Sequence, residues 1–375
     1  MLHEKFGVFR IALVFAIAVN LGACASRPGP AVLQTVRAAP AAKEIKVYAV
    51  TTRNRVTPNA NVYDATKSVN ANYAELTISI PPSHKPSEIE WPGKKPDARE
   101  TFAVVSQSVL DRRSFLNAVN ADSRATGKVG VFVHGYNYNF QESLFRLAQI
   151  SADANIGATP ITFSWPSQGA LAGYVADKES ATYSRDYLAD LMAELTKGRG
   201  DDDVYVFGHS MGGWLVVEAL RQLKLEGRDD VLSRLTVVLA APDIDADVFR
   251  TQMHVIGKMK HPITILVAGD DRALAVSKFI SASTQRVGTL NVKDPRVRQA
   301  AVEAGVELID ISQIEATDSA RHSRFVDARV LFPALSANAQ RNNGLGQAGA
   351  FVFDAAAATI SSPFRIVSGV LKQGE

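Results

Sequence analysis

The segment VYVFGHSMGGWLVVEAL, residues 204–220, joins an apolar, β-branched run to a helical repeat through Gly208-His209-Ser210-Met211-Gly212. A serine with glycine two residues away on either side, at a turn from strand to helix, matches a nucleophile elbow. The reason is steric: small residues let strand and helix approach, and the strained turn lifts Oγ clear of the sheet. The helix N-terminus then aims amides and a positive dipole at a developing oxyanion. A helix N-cap would account for the serine but not for both glycines.

A serine nucleophile needs a base, and chains with such an elbow run in the order serine, acid, histidine. His3, His84, His134 and His209 come before the serine, and His254 and His261 before the favoured acid, which leaves His322 in ATDSARHSRF. Acid candidates follow two apolar runs. Asp270 and Asp271 follow ITILVAG, and Asp243, with Asp245 and Asp247 behind it, follows VVLAA. The preference runs Asp271, then Asp270, then Asp243. The acid would hold the His322 tautomer and stabilise its imidazolium. The oxyanion hole takes one backbone N–H from the residue after the nucleophile and one from the loop after an earlier strand. That assigns Met211 and Tyr136, the latter in VGVFVHGYNYNF, where His134 reads as a structural hydrogen-bonder.

These residues need a scaffold that brings strand ends together. Apolar runs at 129–133, 161–165, 204–207, 235–240, 263–268 and 306–311 alternate with helical patterns at 142–154, 176–196, 213–225, 246–259, 273–283 and 295–304. Continuous apolar strands separated by helices predict a mostly parallel central sheet with helices on both faces. Upstream, the runs at 45–50, 76–80 and 101–105 lie between segments rich in Asn, Pro and Lys, and read as antiparallel strands at the N-terminal edge. Tyr174, Tyr183 and Tyr187 recur at near-helical spacing and read as core.

Composition excludes several classes. A formal charge of +3 from 41 basic and 38 acidic residues leaves no basic stripe for nucleic acid. Cys24 is the one cysteine, so neither an internal disulfide nor a cysteine metal cluster can form. No metal or organic cofactor is implied. Lys5 and Arg10 flank an apolar run at 11–21 that is too short to span a bilayer, followed by Leu21-Gly22-Ala23-Cys24. That box resembles the bacterial lipoprotein signal. It implies a signal peptide over 1–23, lipidation of Cys24, and a domain facing the periplasm from a lipid anchor in the cell envelope. Ala25 after the cysteine favours the outer membrane. Residues 24–43, rich in Ala and Pro, read as a tether, 44–337 as one catalytic domain, and 338–375 as a small-residue tail.

With these residues placed, the chain resembles the α/β-hydrolase superfamily, and within it an esterase/lipase-like bacterial branch of hydrolases of unknown function. The resemblance rests on VFVHGYN, FSWPSQG, GYVADKESATYSRDYL, GHSMGG, APDIDADVF, DDRAL and RHSRF, spread over about 44–333. It implies an α/β-hydrolase fold and a triad of Ser210, Asp271 and His322. That branch often carries Asn where this chain has Gly213. The expected activity is hydrolysis of a small carboxylic ester through an acyl-enzyme. Transfer of the acyl group by the same triad, or an envelope binding protein that keeps the fold, are the alternatives. Little of the chain remains for a lid, so an open site suited to short or accessible acyl groups is expected.

Overall fold

A computed structural model describes residues 27–154, 157–201, 203–281, 285–327 and 350–352. Its strands are β1 (Lys43–Arg55), β2 (Tyr63–Ile80), β3 (Ala103–Leu110), β4 (Val129–Val133), β5 (Thr159–Ser164), β6 (Val204–His209), β7 (Leu235–Ala240), β8 (Ile263–Val267), β9 (Val306–Asp310) and β10 (Ala350–Val352). They form one sheet in the order β10-β9-β8-β7-β6-β4-β5-β1-β2-β3. Every pair from β10 to β1 is parallel, while β2 runs antiparallel to both β1 and β3. A mostly parallel sheet with antiparallel strands at its N-terminal edge is what the periodicity predicts, and it is the α/β-hydrolase fold that the resemblance implies.

The central strands are apolar on both faces because helices cover both. Along β1, Val47 and Ala49 pack on one side, and Tyr48 and Val50 on the other, all buried. The same division sets Phe132 against Val131 and Val133 in β4. The strand order reverses at β4, which lies between β6 and β5. A crevice opens at such a switch point beyond the carboxyl ends of the strands. Val133 of β4 is in register with Gly208 of β6, so the loop after β4 meets the turn after β6 there.

Several details differ from the expectations. β2 extends from Tyr63, well before the predicted run, through an arm whose pairing with β1 is broken by two irregularities. A helix at Arg112–Ser123, capped by the Asp111 carboxylate on the Ser114 N–H at 2.7 Å, is not apparent from the apolar pattern. The expected helix over 176–196 is two helices, Tyr174–Tyr183 and Arg185–Thr196, divided at Ser184. The Ser184 hydroxyl bonds back to Ser180 O and across to Thr52.

The expected tether is not a free linker over the residues described. Pro30–Leu33 forms a 3₁₀ turn with Val32 and Leu33 buried, Val36 N–H donates to Val104 O at 2.9 Å, and β1 begins at Lys43. The two apolar side chains in an otherwise small-residue stretch provide the burial that docks it. The signal segment 1–23 and Cys24 lie outside the described residues, as does the tail 338–375 apart from β10.

Candidate active site

Ser210 follows β6 and opens the helix Met211–Leu225, with φ 54° and ψ −121°. A non-glycine residue in that region carries strain on the order of 1–3 kcal/mol, held in place by its surroundings. Its N–H donates to Ala240 O at 2.9 Å, and its carbonyl accepts from Asp243 N–H at 3.1 Å and Gly213 N–H at 2.9 Å. Its side chain makes no capping bond to the helix although it occupies the cap position, so Oγ is not engaged there. The flanking glycines are obligatory on contact grounds. A Cβ on Gly212 would stand 2.3 Å from both Val133 O and His134 O, and one on Gly208 would stand 2.8 Å from Gly213 Cα. The same crowding bears on Gly213, where a Cβ would come 3.1 Å from Pro242 Cβ. Glycine at 213 thus suits this elbow.

Asp271 and His322 meet across two loops. Asp271 Oδ2 lies 2.6 Å from His322 Nδ1, and Oδ1 accepts the Leu274 N–H at 3.0 Å as the cap of the helix Arg272–Ile280. One carboxylate therefore serves as helix cap and histidine partner. Burial opposes charging the His322 ring, but the hydrogen bond and charge of Asp271, with Asp243 and Asp318 adding, outweigh it and raise its pKa above 6.5. Beneath it the His209 ring packs at 4.7 Å, centroid to centroid, and Phe325 lies 4.2 Å from His209. Burial, then the neighbouring His322 charge, hold His209 well below the usual imidazole value.

The other two acid candidates hold arginines instead of His322. Asp270 Oδ2 bonds Arg321 and Arg324, each at 2.8 Å, and so ties the histidine loop to the end of β8. Burial acts against its ionisation, but these arginine bonds prevail and lower its pKa. Asp318, four residues before His322 and without a motif of its own, accepts the His322 N–H at 3.0 Å and the Ser323 N–H at 2.9 Å. Asp243 is buried beside Arg286, whose Nε lies 3.1 Å from Asp243 Oδ1 in an ion pair that falls short of hydrogen-bond geometry. Tyr174 OH donates to Asp243 Oδ2 at 2.9 Å and Ser277 Oγ to Oδ1 at 2.6 Å. Tyr174 is therefore core, as its spacing predicts, while the Tyr183 and Tyr187 hydroxyls hold the carbonyls of Ser68 and Val69 on the β2 arm.

The loop after β4 lies directly over the elbow. A Cβ on Gly135 would stand 3.0 Å from Ser210 Cβ, so only glycine lets the two backbones come this close. Met211 is the first residue of its helix, a position whose N–H has no intrahelical acceptor. Tyr136 is turned by bonds from its hydroxyl to Ala170 O and Leu171 O. Beneath the loop, His134 is buried, stacked 4.9 Å from Trp165, with Nδ1 2.8 Å from Gly135 O. Burial, then the Arg53 charge, hold it neutral with a pKa of about 3, which suits a structural hydrogen-bonder rather than a second base.

Arg53 and Asp177 carry the rest of this platform and had no assigned role in the sequence. Buried Arg53 donates to Ser164 Oγ, Ser167 O and Tyr138 O at 2.8–3.1 Å. Asp177 accepts from Gln168 N at 2.6 Å and Asn137 N at 3.4 Å. The FSWPSQG and DKESA stretches thus act together as a support for the β4 loop. Arg27 completes it from the N-terminal side. Its guanidinium bonds Asn137 O, Asn137 Oδ1, Gly169 O and the Glu142 carboxylate.

Comparison with known proteins gives the following. Residues 111–339 match the family described as "Alpha/beta hydrolase of unknown function (DUF900)". A curated protein from Nostoc sp., itself uncharacterized, is 38% identical over 63 residues, which are 17% of this chain and 16% of that protein. Among solved structures, esterase Est22 is 12% identical with a TM-score of 0.38, the likeness covering 89% of this chain and 88% of that one. A lipase-esterase related protein from Clostridium acetobutylicum is 13% identical with a TM-score of 0.30, over 58% and 94% of the two chains. The matched family region takes in β4 through the histidine loop and more than half of the chain, and the protein belongs to the DUF900 family of alpha/beta hydrolases.

Proposed function

We propose that the protein is a lipid-anchored serine hydrolase of carboxylic esters. Ser210 Oγ attacks the ester carbonyl carbon while His322 Nε2 takes its proton. The oxyanion is held by the Met211 and Tyr136 N–H groups. Collapse of the intermediate expels the alcohol, which leaves with the proton from His322, and Ser210 is left acylated. Water, deprotonated by His322, then releases the carboxylic acid and restores the serine. Asp271 keeps Nδ1–H turned towards itself, leaving Nε2 free to accept, and stabilises the imidazolium formed at each step. The observation that most supports this reading is the 2.6 Å contact of Asp271 with His322, whose ring packs 4.7 Å from that of His209, the residue before a serine held at φ 54°. Asp270 and Asp243 act as positioning residues, one for the histidine loop and one for the elbow. Cys24 carries the lipid, and the domain faces the periplasm.

A fluorophosphonate probe should label the wild-type protein and leave Ser210→Ala unlabelled. Equal labelling of the two would remove Ser210 from the reaction.

A further inference from the structure

We infer that the chain holds its reactive serine against the bilayer surface and draws its ester substrate from the membrane. The inference rests on the serine-esterase and lipid-anchor readings above, and two separate observations carry it.

The first is the strap that follows Cys24. Arg27 grips Asn137 and Gly169, and Asn139 Nδ2 donates to Pro28 O at 2.8 Å, while Val32 and Leu33 are buried. Asn137 is two residues beyond Gly135, whose backbone abuts Ser210. Only three peptide steps separate Cys24 from Arg27, a span of at most about 11 Å when extended. A lipid on Cys24 therefore keeps Arg27, and the loop its guanidinium grips, close to the membrane. A free tether of twenty residues would have allowed any orientation; the docked strap allows few.

The second is the apolar rim. Leu171 and Val175, just past the Gly169 that Arg27 grips, are 58% and 67% exposed. Val276, Phe279 and Ile280, on the helix Arg272–Ile280, are 51%, 67% and 52% exposed. The two groups sit on adjoining elements, because Tyr174 OH and Ser277 Oγ are 2.9 Å apart. Single exposed apolar residues are ordinary, but a group of them around a site marks a contact surface. With the anchor leaving from the same loops, the surface they meet is lipid. The open site expected from the sequence would also fit this arrangement, since acyl chains that stay in the bilayer need no protein enclosure.

The test uses the full-length lipidated protein in vesicles of phosphatidylethanolamine and phosphatidylglycerol doped with a fluorogenic acyl-ester lipid, alongside soluble p-nitrophenyl acetate. A flexible Gly/Ser spacer of about twenty residues inserted between Ser26 and Arg27 should lower the vesicle rate about tenfold, because effective concentration falls with linker length. The rate on the soluble ester should not change. Cys24→Ser should lose the vesicle rate in the same way and keep the soluble one. A vesicle rate indifferent to the spacer or to Cys24→Ser would overturn the inference, as would a wild type active on the soluble ester alone. A wild type inert towards both esters would overturn the esterase reading itself.

Discussion

At the scale of single residues, the proposed chemistry turns on how Asp271 and His322 share a proton. The base must be neutral to accept from Ser210, so activity falls as pH drops through its pKa. Because that pKa is raised, the acidic limb of kcat/KM for a short p-nitrophenyl ester should lie above pH 6.5. Asp271→Asn removes the charge and leaves burial opposed only by the lesser pull of Asp243 and Asp318. The limb should then move to lower pH while kcat falls on the order of 10³–10⁴-fold. An unmoved limb would show that another group sets it. Elimination along the chain leaves His322 as the one histidine in the right place in the order, and its Nδ1 lies 2.6 Å from Asp271. Asp271 was harder to separate from Asp270, because adjacent carboxylates after a strand look alike in sequence. Side-chain direction distinguishes them: one turns to His322, the other to Arg321 and Arg324.

At the scale of elements, the site depends on loops held by their neighbours. The histidine loop has little regular structure beyond the turn Arg324–Val326, and Asp270 and Asp318 replace it with four bonds to Arg321, Arg324, His322 and Ser323. Asp270→Asn should weaken two of these and let His322 drift from its working position. Steady-state kinetics should show kcat reduced about tenfold with KM little altered, since misplacement of a catalytic group acts on the chemical step. A change confined to KM would put Asp270 against the substrate instead. The parallel strands were legible because both faces are buried and their sequences are nearly continuous in apolar residues. The β2 arm was not, because Tyr63–Asn72 is mostly polar and is held by backbone pairing and by tyrosine hydroxyls from two distant helices. The platform under the β4 loop was likewise hidden. Arg53, Ser164, Ser167 and Asp177 have no local spacing that links them, and they meet only in the fold.

At the scale of the whole molecule, the neutral buried histidines couple the fold to pH. His134 titrates near pH 3 when folded and near 6.5 when unfolded. Its contribution is thus complete above pH 6.5 and is lost as pH falls towards 3, because the unfolded chain binds the proton first. At pH 5 this amounts to about 2 kcal/mol. Differential scanning calorimetry should therefore record a midpoint roughly 3 °C lower at pH 5 than at pH 7 from this ring alone. His134→Asn, which keeps a donor near Nδ1, should lower the midpoint at pH 7 but shrink that difference. An unchanged difference would assign the acid sensitivity to other groups.

The strap has a further consequence for how the molecule is made. Arg27 is synthesised before the loops it grips, and its bond to Gly169 spans 142 residues. In the exported chain proposed above these partners meet only after translocation, so the strap docks once the loops after β4 and β5 have folded. The first described part of the chain is thus among the last to lock, and the platform beside Ser210 is completed only when later loops fold back to meet it.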